Sequence, residues 1–355
     1  MPDDEDSISS FPPLATDATA YSLSVSVFNT TGGAATLIGW VDFNRDGIFQ
    51  PVEGTTVSVP DGATNAILNW AGMTGLEGGA TFARVRLTTD PSISTSTPGG
   101  RASNGEVEDY SLSVTRVPPT LNKAFSPVAI NVGGVSTLTF TITNSFNNPS
   151  QGGVGFTDTF PAGVTIANPP APTNSCAGTL ADSNGDPLDV GGPGLSVSNA
   201  SLSGGTASCV ITVNVTSATP GSYTNSVANI SGGTNINSST VTPSTLTVTG
   251  LDFGDAPDGY GTTLAATGPI HSIIPGLQIG TAVDYEIDGQ PTPNADGDDL
   301  NSTDDEDGVA SFPQLLNTAT SYSLNVTVVN TTTTTALLVG WIDFNRNNTF
   351  EPGEG

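Results

Sequence analysis

The sequence predicts an all-β protein built of tandem, immunoglobulin-like β-sandwich domains joined by Pro-rich linkers. Three observations carry this. β-branched residues alternate with small polar ones over many short runs, with 42 glycines and 26 prolines marking turns between them. Strong helix formers are scarce, and the whole chain has one lysine, Lys123. A 52-residue stretch occurs twice, so that two or three domains of ordinary size repeat within 355 residues.

The repeat sets the organisation. Residues 3–54 and 304–355 align without a gap at an offset of 301 and are identical at 30 of 52 positions. A period this long is that of a set of domains, not of a solenoid unit. We expect the sequence to begin inside one module and to end inside the next copy, with each terminal module lacking a different half.

Within the first module (1–117), the strands expected are AYSLSVSVFN, ATLIGWVDF, GTTVSVP, ATNAILNW, TFARVRLTT and VEDYSLSVTRV. In the first of these Tyr21, Leu23, Val25 and Val27 share one face and serines the other, the period of a half-buried strand. RVPPT at 116–120 reads as a Pro-stiffened linker. The second module (118–249) has about seven short strands, among them VSTLTFTITNS, ASCVITVNVTS and STLTVTG, which fits an immunoglobulin-like sandwich. Its Cys176 and Cys209 read as a disulfide worth roughly 3–4 kcal/mol, against the alternative of two buried free thiols. LDFGDAPDGYG opens the third region (250–355), the start of a second acidic module.

The charge is extreme: 34 acids against 7 bases, formally −27. This excludes a nucleic-acid surface and an anionic membrane face. No apolar run is long enough for a membrane span in this segment. MPDDEDSISS is not a signal peptide, and we read the chain as an excerpt of a longer one. Such an acid excess is tolerated when divalent cations neutralise it or when a salty medium screens it; a merely solvated acidic surface is the plain alternative.

One stretch singles out cations. VDFNRDGIFQPVEG fits D-x-[DN]-x-[DN]-G-x5-E, a calcium-loop spacing. Asp42, Asn44 and Asp46 would converge on one centre, Ile48 would offer its carbonyl, and Glu53 would close the shell. All are hard oxygen donors, suited to calcium rather than zinc. The second copy offers Asp343, Asn345, Asn347, Thr349 through its carbonyl, and Glu354, with one acid fewer. A strand precedes the loop where an EF-hand has a helix, and Pro51 lies inside it, so the expected consequence is rigidity rather than switching. An Asp/Asn/Gly turn without metal is the competing reading. Further candidate ligands are Asp252 and Asp255, Asp296, Asp298, Asp304, Asp305 and Asp307 in an acidic run, and Glu106 with Glu108 on one strand face.

GWVDFNRDGIFQPVEG, ARVRLTT and GEVEDYSLSV together resemble the GEVED domain of bacterial secreted and surface proteins, named for the motif at Gly105–Asp109. LDFGDAPDGYGT followed by DDEDGV resembles the lead-in to such domains, and the second module resembles the immunoglobulin-like repeats that alternate with them. The resemblance implies an extracellular protein on the bacterial surface or secreted from the cell, of adhesin or fibre type, with partners that are further copies of itself, a surface glycan, or a host or neighbour-cell protein. A glycan site would use exposed aromatics such as Trp40, Trp70 and Tyr110, although Trp40 and Tyr110 also suit a core. An enzyme is not expected: His271 is the one histidine and no G-x-S-x-G nucleophile elbow exists.

Overall fold

The structure, a computed structural model, describes residues 7–297 and 308–355. Among these described residues strands dominate, and helix is confined to single 3-10 turns.

The first module contains β1 (Leu14–Ala15), β2 (Ala20–Ser26), β3 (Ala35–Val41), β4 (Gly54–Val59), β5 (Asn65–Ala71), β6 (Gly79–Thr88) and β7 (Glu106–Thr115). One sheet runs β1-β7-β6-β3-β4, and a β2-β5 ribbon packs over it. Alternation in β2 and β5 turns Tyr21, Leu23, Val25, Ala66, Leu68 and Trp70 inward, where they meet Leu37, Val41, Val85 and Val114 of the sheet. Gly39 on β3 is required by this packing: a Cβ there would come within 2.4 Å of Leu68 Cδ1.

The second module contains β8 (Thr120–Ser126), β9 (Ala129–Asn131), β10 (Ser136–Thr143), β11 (Gln151–Thr159), β12 (Val164–Ile166), β13 (Thr173–Asn174), β14 (Thr179–Ala181), β15 (Gly194–Leu202), β16 (Ser208–Ser217), β17 (Gly221–Asn225), β18 (Ile230–Thr234) and β19 (Ser244–Thr249). Its sheets run β12-β16-β10-β8, β14-β15-β11-β18 and β17-β19-β9. Leu138, Phe140, Ile142, Phe156, Val197, Ile211 and Val213 fill the space between them. Cys176 and Cys209 form a disulfide across 33 residues.

A hydrogen-bonded joint connects the modules. Asn147, held at φ 65°, donates from Nδ2 to the carbonyls of Ala18 and Met73, both at 2.8 Å. Asn148 is buried and donates to the Val117 carbonyl at 2.8 Å, while its Oδ1 accepts from the Thr16 hydroxyl. Thr16 Oγ1 in turn accepts from the Val117 amide. The Pro118–Pro119 linker is therefore backed by a loop of the second module seated on the backbone of the first.

Among the described residues, the third region has β20 (Leu251–Asp252), β21 (His271–Ser272), β22 (Leu277–Ile279) and β23 (Val328–Asn330). The repeated sequence behaves differently here. Leu37, Ile38 and Trp40 of the first copy are buried, whereas Leu338, Val339 and Trp341 are about half exposed, and no strand spans them. The reason is pairing. β3 is hydrogen-bonded to β4 and β6, and β2 to β5. Those partners come from residues 54–88, and the repeated stretch, 304–355, does not include a counterpart of 55–88. Strand propensity without a neighbouring strand leaves the backbone unpaired and the apolar face uncovered.

Candidate functional site

The acidic loop after β3 is built by its own side chains. Asp42 accepts the amides of Asp46 and Gly47 at 3.2 and 3.1 Å; Asn44 accepts that of Asp46 at 2.9 Å; Asp46 accepts that of Ile48 at 2.9 Å. Two left-handed residues, Arg45 and Gly47, coil the backbone so that these oxygens face inward. The loop is anchored beneath by the Trp70 indole, which donates to the Glu53 carbonyl at 2.8 Å, and beside by Arg45, which reaches the Ala80 and Gly78 carbonyls.

Glu53, expected to close the shell, holds the loop's two ends. Its Oε1 accepts the Phe43 amide at 3.0 Å and its Oε2 that of Gln50 at 3.0 Å, so the carboxylate ties both ends of the loop together. Burial raises its pKa, and these backbone donors together with the Asn44 amide oppose the rise. The second copy repeats the scheme. Asp343 accepts from Asn347 and Asn348, Asn345 from Asn347, Asn347 from Thr349, and Glu354 from Phe344 and Glu351. Asn348 takes the glycine's place at φ 63°. Because this network persists where the surrounding sheet does not, it is encoded locally. Tyr260, from the lead-in segment, adds a hydroxyl that donates to Asp343 at 2.9 Å and a ring tilted against that of Phe350, with centroids 4.8 Å apart.

A cation fits the chemistry of this donor set only in part. Asp42, Asn44 and Asp46 converge as hard oxygens, and the Ile48 and Thr349 carbonyls belong to the same turns. Among the described residues, however, no three Asp, Glu, His or Cys side chains gather as ligands of one ion. A cation in this loop would therefore rely on two carboxylates, an amide oxygen and the backbone.

Among the described residues, the other acidic candidates have partners of their own. Glu108 is buried and accepts hydrogen bonds from the Ser7 and Tyr110 hydroxyls; Glu106, one pleat away, is exposed. Asp255 accepts the Gly297 amide at 2.7 Å, and Asp296 the Thr292 hydroxyl at 2.6 Å. Asp252 lies on β20 near Glu286, whose pKa is pushed up to about 9 by burial, by a hydrogen bond with Asp284 and by the charges of Asp284 and Asp252. Asp298, Asp304, Asp305 and Asp307 lie outside the described residues.

The 105–110 motif is a structural device. Gly105 sits at φ 103°, where a Cβ would come within 1.9 Å of the Leu87 carbonyl oxygen. Asp109 forms a two-point ion pair with Arg84, at 2.7 and 2.6 Å. Arg86 is buried and donates to the Thr97, Gly99 and Gly100 carbonyls, fixing the long loop between the antiparallel strands β6 and β7. The aromatics proposed for glycan contact are turned inward: Trp40 is wholly buried with its indole donating to the Thr95 carbonyl, and Trp70 is buried beside Tyr21 and Phe43. Neither presents a stacking platform.

One cluster was not legible as a site from motifs. Lys123 on β8, Asp158 on β11 and Asn225 on β17 meet inside the second module, each at most 2% exposed. Lys123 Nζ donates to Asp158 Oδ2 at 2.9 Å and to Asn225 Oδ1 at 2.5 Å; Asn225 Nδ2 donates to Asp158 Oδ2 at 3.0 Å. Asp158 Oδ1 has no hydrogen-bond partner. Burial pushes the carboxyl up and the amine down, each partly opposed by the other's charge. The signal for it was the lysine at an inward-facing position of LNKAFS, between Leu121 and Phe125.

Two family models match parts of the chain. Residues 36–113 match the GEVED domain, and residues 119–248 match a domain of unknown function, DUF7933. No curated protein matches the chain. Among solved structures, a non-cellulosomal cohesin from Archaeoglobus fulgidus is 12% identical over 36% of this chain and 91% of its own, with a TM-score of 0.25. The major pilin subunit BcpA of Bacillus cereus is 12% identical over 67% and 72%, at 0.23. The CBD12 region of CALX1.2 is 9% identical over 66% and 96%, at 0.24. At such scores these likenesses carry no inference about function.

Proposed function

We propose that this chain, a GEVED domain followed by a second β-sandwich module and a repeat of the GEVED lead-in, is a stiff structural segment of an extracellular bacterial surface or secreted protein. The observation that carries the reading is the joint: Asn147 and Asn148 bind the backbone of the first module, so two cores with separate sheets are held as one rod. The disulfide supports an oxidising, extracellular setting. The role is mechanical rather than enzymatic, since the polar groups brought together serve the fold.

Calcium in the Asp42–Glu53 loop belongs to the same reading. The loop's backbone is tied by its own side chains, so calcium would neutralise Asp42 and Asp46 and add stability to a turn already cross-linked by hydrogen bonds. At ten times its dissociation constant it would contribute about 1.4 kcal/mol, or about 6 °C for a module of this size. The test is a set of thermal melts in millimolar calcium, in EDTA and in high sodium chloride. The reading expects the first module's transition to rise with calcium and fall with EDTA. A transition indifferent to EDTA but raised by sodium chloride would replace calcium with salt screening of an acidic, halophile-like surface.

A further inference from the structure

The chain has one lysine and buries it completely, in reach of an amide and a carboxyl. A charged amine placed there for stability alone is poorly explained. Burying an ion pair costs several kcal/mol per ion and is repaid only when every lone pair is satisfied. Here Asp158 Oδ1 is unsatisfied. The same geometry is what an amine nucleophile, an acyl carbon and a proton carrier need: reacting groups held near van der Waals contact, with water excluded.

We propose that Lys123 and Asn225 become joined by an intramolecular amide bond, with Asp158 moving the protons. The amine first passes a proton to Asp158 Oδ2, to which it is already hydrogen-bonded. The freed lone pair of Nζ then attacks Cγ of Asn225, and the carbonyl electron pair moves onto Oδ1. Asp158 relays a second proton from Nζ to Nδ2, which it also contacts. The C–Nδ2 bond breaks as the carbonyl re-forms, and ammonia leaves. One hydrogen remains on the new Nζ–Cγ amide, and Asp158 ends protonated and uncharged. No oxidant, metal or cofactor is consumed.

The tuning of the groups agrees with this order. Burial favours the neutral amine and the neutral acid, the two forms that the reaction needs. The placement also has a consequence. Lys123 lies on the first strand of the second module and Asn225 on β17, 102 residues later, so the bond would enclose most of the module, including the disulfide loop. Tension applied along the chain would bypass the enclosed residues.

The test is the intact mass of the full chain. The bond predicts a mass about 17 Da below that of the disulfide-bonded sequence, the loss of one ammonia per chain. Tandem mass spectrometry of a digest must then find a branched peptide in which the β8 segment is joined through Lys123 to Asn225. Asp158→Asn should restore the unlinked mass. An unlinked mass for the natural chain overturns the proposal. So does a 17 Da loss confined to a linear peptide around Asn225, which is cyclisation of the asparagine on its own backbone. A bond that forms equally well in the Asp158→Asn chain overturns the role of Asp158. The measurement on the natural chain decides the bond even if that variant does not fold.

Discussion

Removing the disulfide gives a prediction whose size follows from its position. Cys176 and Cys209 close a loop of 33 residues between the β13–β14 connection and β16. Taking that separation as the loop length, the chain-entropy relation gives about 12 cal/mol/K, or about 3.7 kcal/mol at 25 °C. The second module spans residues 119–248. A domain of that length has an unfolding entropy near 0.27 kcal/mol/K, so the loss corresponds to a fall in Tm of about 14 °C. The perturbation is the double variant Cys176→Ala, Cys209→Ala, followed by differential scanning calorimetry. The small void left by two buried sulfurs adds up to about 1 kcal/mol. Natural protein melted in reductant keeps both sulfurs and separates that contribution. One transition should move and the first module's should stay. A fall under about 4 °C, or an equal shift in both transitions, would refute the reasoning that this bond constrains the unfolded second module alone.

Two other changes test the first and third regions. Gly105→Ala places a methyl against the Leu87 carbonyl at φ 103° and should cost about 3–5 kcal/mol by chemical denaturation; a cost under 1 kcal/mol would contradict the tight start assigned to β7. In the third region Glu286 carries a folded-state pKa near 9 against an ordinary 4.5, so the folded form keeps a proton that the unfolded form releases. Stability there is full below about pH 4.5 and is lost as pH rises toward 9. Hydrogen exchange across 251–297, corrected for intrinsic rates, should show protection falling from pH 5 to pH 8, and Glu286→Gln should flatten that trend; an unchanged trend in the variant would assign it to other groups.

Most strands were legible because alternation and turn residues are local properties. AYSLSVSVFN, STLTFTIT and SCVITVNVTS fold where their patterns place them. The coil of the acidic loop is local, since the bonds from its own carboxylates and amides to its backbone span at most ten residues, and the Asp42 and Glu53 pattern recurs at Asp343 and Glu354. What the pattern could not supply is the use of Glu53. A motif gives spacing, but the Phe43 and Gln50 amides that take up its carboxylate depend on how the loop closes on β4. Trp40 was ambiguous for a similar reason: its neighbours, β6 and the Thr95 turn, come from 40 to 55 residues later. The Asn147–Asn148 joint and the Lys123–Asp158–Asn225 cluster join residues between 31 and 132 positions apart, with no periodic signature. The third region shows the limit most plainly, because nearly the same residues that form β2 and β3 in the first copy form no such strands in the second. Strand formation there is decided by partners, not by propensity.

The central claim is that the first two modules move as one stiff body, and backbone nitrogen-15 relaxation of the full chain tests it most directly. Amides in β2–β7 and in β8–β19 should fit a single anisotropic rotational tensor, and the double variant Asn147→Ala, Asn148→Ala should split it into two. Separate correlation times for the two modules in the natural chain would contradict the account.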